Sequence, residues 1–215
     1  MAASAFPDVY QLRIRLCGVS PLIWRRLLVR SDTSIAFLHH LLQAAFDWSD
    51  SHLHRFIIHG KDYGIAYAGG MYFSDDPKRV RLADFGFRLN ERFFYEYDFY
   101  DLWRHEIRLE QIVTFDPTQR DPRCTGGGRA APAEECGGPQ AFLALRQRFS
   151  SFHITERLLR LVEHPEDIYD PEAELDTLRY WLGVDHFDRR RFNHELHQDA
   201  LERAAATETN VEVLR

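Results

Sequence analysis

Three observations predict an α+β fold with a largely antiparallel sheet and a helical C-terminal third. Short N-terminal segments alternate apolar and polar residues with a period of two, one segment between them repeats at helical spacing, and strand signals vanish beyond residue 139. The predicted order is β-β-α-β, then a β-hairpin, then helices.

Val9–Cys17 (VYQLRIRLC) sends Tyr10, Leu12, Ile14 and Leu16 to one face and Gln11, Arg13 and Arg15 to the other, a half-buried strand. Gly18-Val19-Ser20-Pro21 supplies a turn, and Ile23–Val29 returns as its hairpin partner. In SDTSIAFLHHLLQAAFDW, Asp32, Thr33 or Ser34 can cap a helix whose apolar stripe is Ile35, Leu38, Leu41, Leu42, Ala45 and Phe46. Leu53–His59 is a third strand, followed from Gly60 to about Pro77 by a long loop of the kind that often carries function. Val80–Phe85 leads into the hairpin, Phe93–Phe99 turning at Tyr100–Leu102 into Trp103–Val113. Asp121–Pro139 (DPRCTGGGRAAPAEECGGP) reads as a loop or linker, with GGGR a flexible turn. Helices are expected over Gln140–Phe149, Phe152–Glu163, Glu172–Trp181 and Arg189–Ala205, with Gly183 as a stop and the last ~10 residues frayed. The expected organisation is therefore a sheet domain over 8–120, a loop over 121–139 and a helical segment over 140–205 packed on the sheet in one compact unit.

Composition narrows function only by class. The chain of 215 residues is 45% hydrophobic and 28% charged, an ordinary globular balance. Its 27 basic and 33 acidic residues leave a net charge of −6, which repels a nucleic-acid backbone on average while leaving room for a local patch. Lys61 and Lys78 are the only lysines, so the positive charge is nearly all arginine, whose fork suits carboxylate and phosphate. An odd set of cysteines, Cys17, Cys124 and Cys136, argues against a disulfide framework. With no apolar run near ~20 residues and no basic-then-apolar N-terminal segment, the expectation is a cytoplasmic protein without a membrane span.

SPLIWRRLLV, DWSDSHLHRFIIHGKDYG, YEYDFYDLWRHEIRLE and PRCTGGGRAAPAEECGGP, in that order, resemble the plasmid Ri open-reading-frame-three-like family, whose members are also labelled as insertion-element passenger proteins and resolvases. The resemblance spans roughly residues 8–195 and implies an α+β fold without an established activity. Two positions depart from it. Tyr100 stands where the family's hairpin turn has a glycine, and Ala131 stands where its loop has a first cysteine, so a thiolate metal site in that loop would lack one ligand here. The resolvase label has no support in the residues: no reactive serine sits among arginines near the N-terminus, and Arg189-Arg190-Arg191, the one dense basic run, fits a solvated helix face.

Chemistry could reside in a small set. His52 and His54 are two apart, so on a strand they share a face and could reach one ion; Asp98, Asp101 and His105, with Tyr97 and Trp103, complete a candidate pocket. The ordinary reading of these histidines is structural. His105 falls on the apolar side of its strand, between Trp103 and Ile107, so it must find a hydrogen bond, with Tyr95, Tyr97, Asp98 or Asp101 as the expected partner. Cys124 and Cys136 lie too far apart for a one-turn zinc grip, so a metal there would need further ligands such as Glu134, Glu135, His52 or His105, and the two thiols rank first as small apolar anchors for the loop. Nucleophile-elbow, phosphate-loop, dinucleotide and zincin motifs are absent.

Three functions follow. The first is a binding or adaptor module for a protein or small-molecule ligand, associated with plasmids or mobile elements, with the aromatic sheet face and the loop Gly60–Pro77 as its recognition surface. The second is a metal-assisted hydrolase or nuclease that uses a divalent ion at the His/Asp cluster, although nothing in the sequence requires a cofactor. The third is DNA binding through a patch of Arg13, Arg15, Arg25 and Arg26. They demand, respectively, an exposed apolar patch, a converged cluster, and a contiguous arginine surface.

Overall fold

Alternation along the strands builds the sheet that organises the molecule. The computed structural model describes residues 7–67 and 69–196. The elements are β1 (Val9–Leu16), β2 (Trp24–Arg30), α1 (Ile35–Phe46), β3 (His54–Ile58), β4 (Lys61–Tyr63), β5 (Arg92–Tyr97), β6 (Trp103–Val113), β7 (Arg123–Gly128), α2 (Gly138–Arg148), α3 (Ser151–Glu163) and α4 (Pro171–Gly183), with short 3-10 turns at Leu82–Phe85 and Pro165–Asp167. Residues 189–196 are helical; the expected continuation to Ala205 and the frayed end lie outside the described residues.

All seven strands join one antiparallel sheet in the order β4-β3-β5-β6-β1-β2-β7. Its inner face is Leu12, Ile14, Leu27, Val29, Phe56, Tyr95, Tyr97, Trp103, Ile107 and Leu109, each no more than 1% exposed. The stripe of α1 closes over that face, with Ile35, Leu38, Leu41 and Leu42 buried. Ser34 caps the helix by accepting the Phe37 N–H at 3.2 Å, and Asp47 ends it in the left-handed region at φ 55°. The same apolar cluster runs on into the C-terminal helices through Phe142, Ile154, Leu178 and Trp181. The aromatic face is thus core, which overturns its expected role as a recognition surface: seven strands leave one face to be dried, and α1 dries it.

Two other expectations are corrected. The Gly60–Pro77 loop contributes Lys61–Tyr63 to the sheet as β4. Asp121–Pro139 is not all linker: Arg123–Gly128 forms edge strand β7, paired with β2, so GGGR is no flexible turn. Glycine carries no periodicity to read, and here rings replace the missing side chains. A Cβ on Gly128 would stand 2.8 Å from the Trp24 indole, and one on Gly127 would overlap the Phe187 ring. Phe187 in turn lies 3.8 Å from the buried Arg25 guanidinium, tying the helical part to the sheet. Gly127→Val, which drives a side chain into that ring, should therefore lower stability by ~1–3 kcal/mol in denaturant titration, whereas a flexible turn would tolerate it.

Candidate functional site

Cross-strand register decides which sequence-predicted residues meet. His54 pairs with Tyr97 and Tyr95 pairs with His105, so all four project inward beneath α1. His52 lies before β3 and is partly exposed; its Nε2 stands 2.7 Å from Glu135 and its Nδ1 3.8 Å from Asp98. The Glu135 hydrogen bond and nearby carboxylates raise its pKa. Asp98 accepts the Tyr100 N–H at 3.0 Å and Asp101 accepts the Gly137 N–H at 3.0 Å, so both acids hold turns. His52, His54, Asp98, Asp101 and His105 do not form one ligand set.

Tyr97 and Trp103 serve the loop between β7 and α2. Tyr97 donates its hydroxyl to Glu134, which also accepts the Ser49 N–H at 2.8 Å and the Ser49 hydroxyl at 2.7 Å. The Trp103 indole donates to the Glu134 carbonyl at 3.3 Å, and that of Trp48 to the Pro132 carbonyl at 3.0 Å. Cys124 and Cys136 are free thiols whose pKa values burial raises, that of Cys136 to about 11. They share no ligand group with a histidine or carboxylate among the described residues.

Sequence reasoning missed the cluster that converges among the described residues. His39 on α1, Asp50 after it and His54 on β3 place donor atoms within 4.8 Å of one another. The signal was present: His39 falls between Ile35 and Leu42 on the apolar stripe of α1. His39 Nε2 is 2.7 Å from Asp50, its Nδ1 is 2.8 Å from the Tyr95 hydroxyl, and Gln43 donates to that hydroxyl at 2.8 Å. Burial lowers the pKa of His39 to about 3 and that of His54 to about 2, so both are neutral at pH 7. Their rings stack at 3.6 Å and 11°, which sets their lone pairs side by side rather than toward a shared point. Ile65 N–H already occupies His54 Nε2 at 3.3 Å. The arrangement is a buried hydrogen-bonded chain, not a formed metal centre.

The expected partner of His105 is absent: neither ring nitrogen is hydrogen-bonded, and the imidazole packs edge-on against Phe46 and Trp48. Burial holds its pKa at about 3, with backbone groups of Tyr95 and Trp103 opposing in part.

The opposite sheet face is charged. Arg92 pairs with Arg108, Arg108 with Arg13, and Arg13 with Arg26, a row of four arginines across β5, β6, β1 and β2. The next row runs Phe94, Glu106, Arg15, Trp24. Opposed like charges destabilise a sheet, and two glutamates relieve them: Glu106 bonds Arg15 at 3.0 Å and lies 3.4 Å from Arg92, while Glu110 lies 2.6 Å from Arg26, 3.0 Å from Arg108 and 3.7 Å from Arg13. Those carboxylates are sunken, at 12% and 10% exposure, beneath guanidiniums at 30–54%. Arg25 is not part of this surface, because it turns inward to donate to the Ala45, Trp24 and Gly128 carbonyls.

Residues 8–196 match the family described as plasmid pRiA4b ORF-3-like protein. The chain belongs to that family. It is 28% identical over 205 residues to uncharacterized protein y4hQ of Sinorhizobium fredii, covering 93% of each chain. It is also similar to the crystal structure of MM3350, a protein of unknown function from Methanosarcina mazei Go1, with a TM-score of 0.62 and 32% identity over 86% of this chain and 97% of that one. Neither of these two similar proteins is described with an activity. No helix among the described residues is long and apolar enough to cross a membrane.

The unpaired His105 yields a stability test. The unfolded ring titrates near 6.5 and the folded ring near 3. Between those values the unfolded chain holds the extra proton, so stability falls as pH drops through that window, by up to ~1.4 kcal/mol per pH unit for this group. The dependence fades as pH rises past 6.5 and is gone about one unit above it. His105→Phe should stabilise the fold by ~1–3 kcal/mol at pH 7 and flatten the slope between pH 6.5 and 5 by one proton, measured by denaturant titration across pH.

Proposed function

We propose that the protein is a binding module that carries nucleic acid on the outer sheet face. The observation that supports this reading is the row Arg92–Arg108–Arg13–Arg26, joined by Arg15. Five guanidiniums over two sunken carboxylates give the patch a local charge of +3 on a chain of net −6. Guanidinium forks on strands ~4.8 Å apart present donors along a line that a phosphodiester backbone can follow. The patch keeps Arg13, Arg15 and Arg26 of the expected set and takes Arg92 and Arg108 in place of the inward-turned Arg25. The plasmid description of the family agrees with a role near plasmids or mobile elements. The three free cysteines agree with a reducing, cytoplasmic setting. A metal-assisted hydrolase or nuclease built on His52, His54, Asp98, Asp101 and His105 has no converged cluster behind it.

The test is fluorescence anisotropy with a labelled oligonucleotide between 50 and 200 mM salt. Affinity should fall steeply with salt, and Arg15→Ser and Arg92→Ser, both at exposed positions, should each flatten the logarithmic slope by ~0.7–1. Salt-independent affinity, or variants that bind as the wild type does, would sink the reading.

A second observation supports the adaptor half. The outward side of α3 carries Phe152 at 75%, Leu159 at 54% and Val162 at 78% exposure, while Ile154 on the opposite side is buried. At 100° per residue these three fall within an arc of about 80°, an apolar stripe suited to a protein partner. Cross-linking and affinity purification should recover a defined partner with the wild type, and Phe152→Glu with Val162→Glu should lose it at unchanged Tm. Equal recovery by that variant would remove α3 from the reading.

A further inference from the structure

We infer that the outer sheet face is built for single-stranded nucleic acid, with Trp24 and Phe94 as the platforms on which two bases stack; this rests on the nucleic-acid reading above. The two rings end the row adjacent to the arginines, and they are three strands apart, ~14 Å at ~4.8 Å per strand, so each can take a separate base.

Each ring carries guanidinium over it, so a base stacks either on that guanidinium plane or on the ring once the guanidinium has swung toward a phosphate. The Trp24 indole lies along β7, where the glycines leave it room: a Cβ on Gly128 would stand 2.8 Å from the indole and force a shift, and one on Gly126 would crowd it at 3.2 Å. The guanidinium carbons of Arg13 and Arg26 lie 5.1 Å and 5.3 Å from the indole centroid. At the other end, that of Arg104 lies 4.0 Å from the Phe94 ring centroid. Guanidinium planes and aromatic rings are the two surfaces on which unpaired bases stack, with little preference among bases. Both rings are half-buried, unlike Trp48, Trp103 and Trp181, which are core.

Strand state follows from the geometry. In a duplex the bases face each other and their planes are covered, so Trp24 and Phe94 would have nothing to stack on and only the arginine row would contribute. In an extended single strand the phosphates can track the arginines while bases turn down onto the rings. The same surface therefore separates two contributions, a salt-dependent one from the arginines and a salt-tolerant one from the rings.

Titration of the full chain with a twelve-nucleotide oligothymidylate and with a duplex of equal length tests this. The expected result is at least tenfold tighter binding of the single strand, with quenching of the emission of the one half-exposed tryptophan. Trp24→Leu and Phe94→Leu should each reduce that preference at least fivefold while leaving the salt slope unchanged. Equal affinity for the two forms, or a preference untouched by both variants, would overturn the stacking role yet leave the arginine row standing. Absence of binding to either form at low salt would instead overturn the parent reading. If Trp24→Leu unfolds the chain through the lost β7 packing, Phe94→Leu, which has no glycine floor beneath it, decides alone.

Discussion

The register of β6 is the constraint on which the remaining structure depends. Trp103, His105, Ile107 and Leu109 face the core while Arg104, Glu106, Arg108 and Glu110 face out, and a slip of one residue against β1 or β5 would exchange the two sets. Burying Trp103, Ile107 and Leu109 makes that slip prohibitive. Once the strand is locked, Arg108 is bound to stand between Arg13 and Arg92, and His105 is bound to stand beside Tyr95. The charged outer rows and the polar inner cluster are two consequences of one apolar preference.

The inner face is less comfortable than its apolar content implies. Against it α1 sets His39 and Gln43 opposite His54, Tyr95 and His105, all essentially excluded from water. The histidines meet this by staying neutral, and Tyr95, His39 and Asp50 meet it by bonding in a chain that reaches the half-exposed Asp50. His105 meets it least well, with two unpaired nitrogens. Its ring contacts with Phe46, Trp48 and Tyr95 are ones a phenyl ring could also make.

The helical part is attached through polar groups as much as apolar ones. Arg25, buried without a carboxylate, spends its donors on the Ala45, Trp24 and Gly128 carbonyls and offers its face to Phe187. Burial lowers its pKa to about 10, which leaves it charged at neutral pH. Tyr180 donates to the Ala131 carbonyl, and the Asn193 side chain bonds both backbone groups of Cys124. Ala131 is thus held through its backbone carbonyl, a contact that does not depend on which side chain stands there.

The sequence by itself determined the α+β class, the alternation of β1 and β6, the stripe of α1 and the helical C-terminal third. Those features are local: periods of two and 3.6 are written within a few residues of each other. It also contained the two halves of the arginine row, since Arg13 opposite Arg26 and Arg92 opposite Arg108 belong to hairpins. Only the tertiary structure joined the halves, because β1 and β6 are remote in sequence and their register follows from core packing. The same remoteness hid the meeting of His39 with His54, and it made a strand of the glycines at 126–128, whose partners, Trp24 and Phe187, supply the surface that glycine lacks.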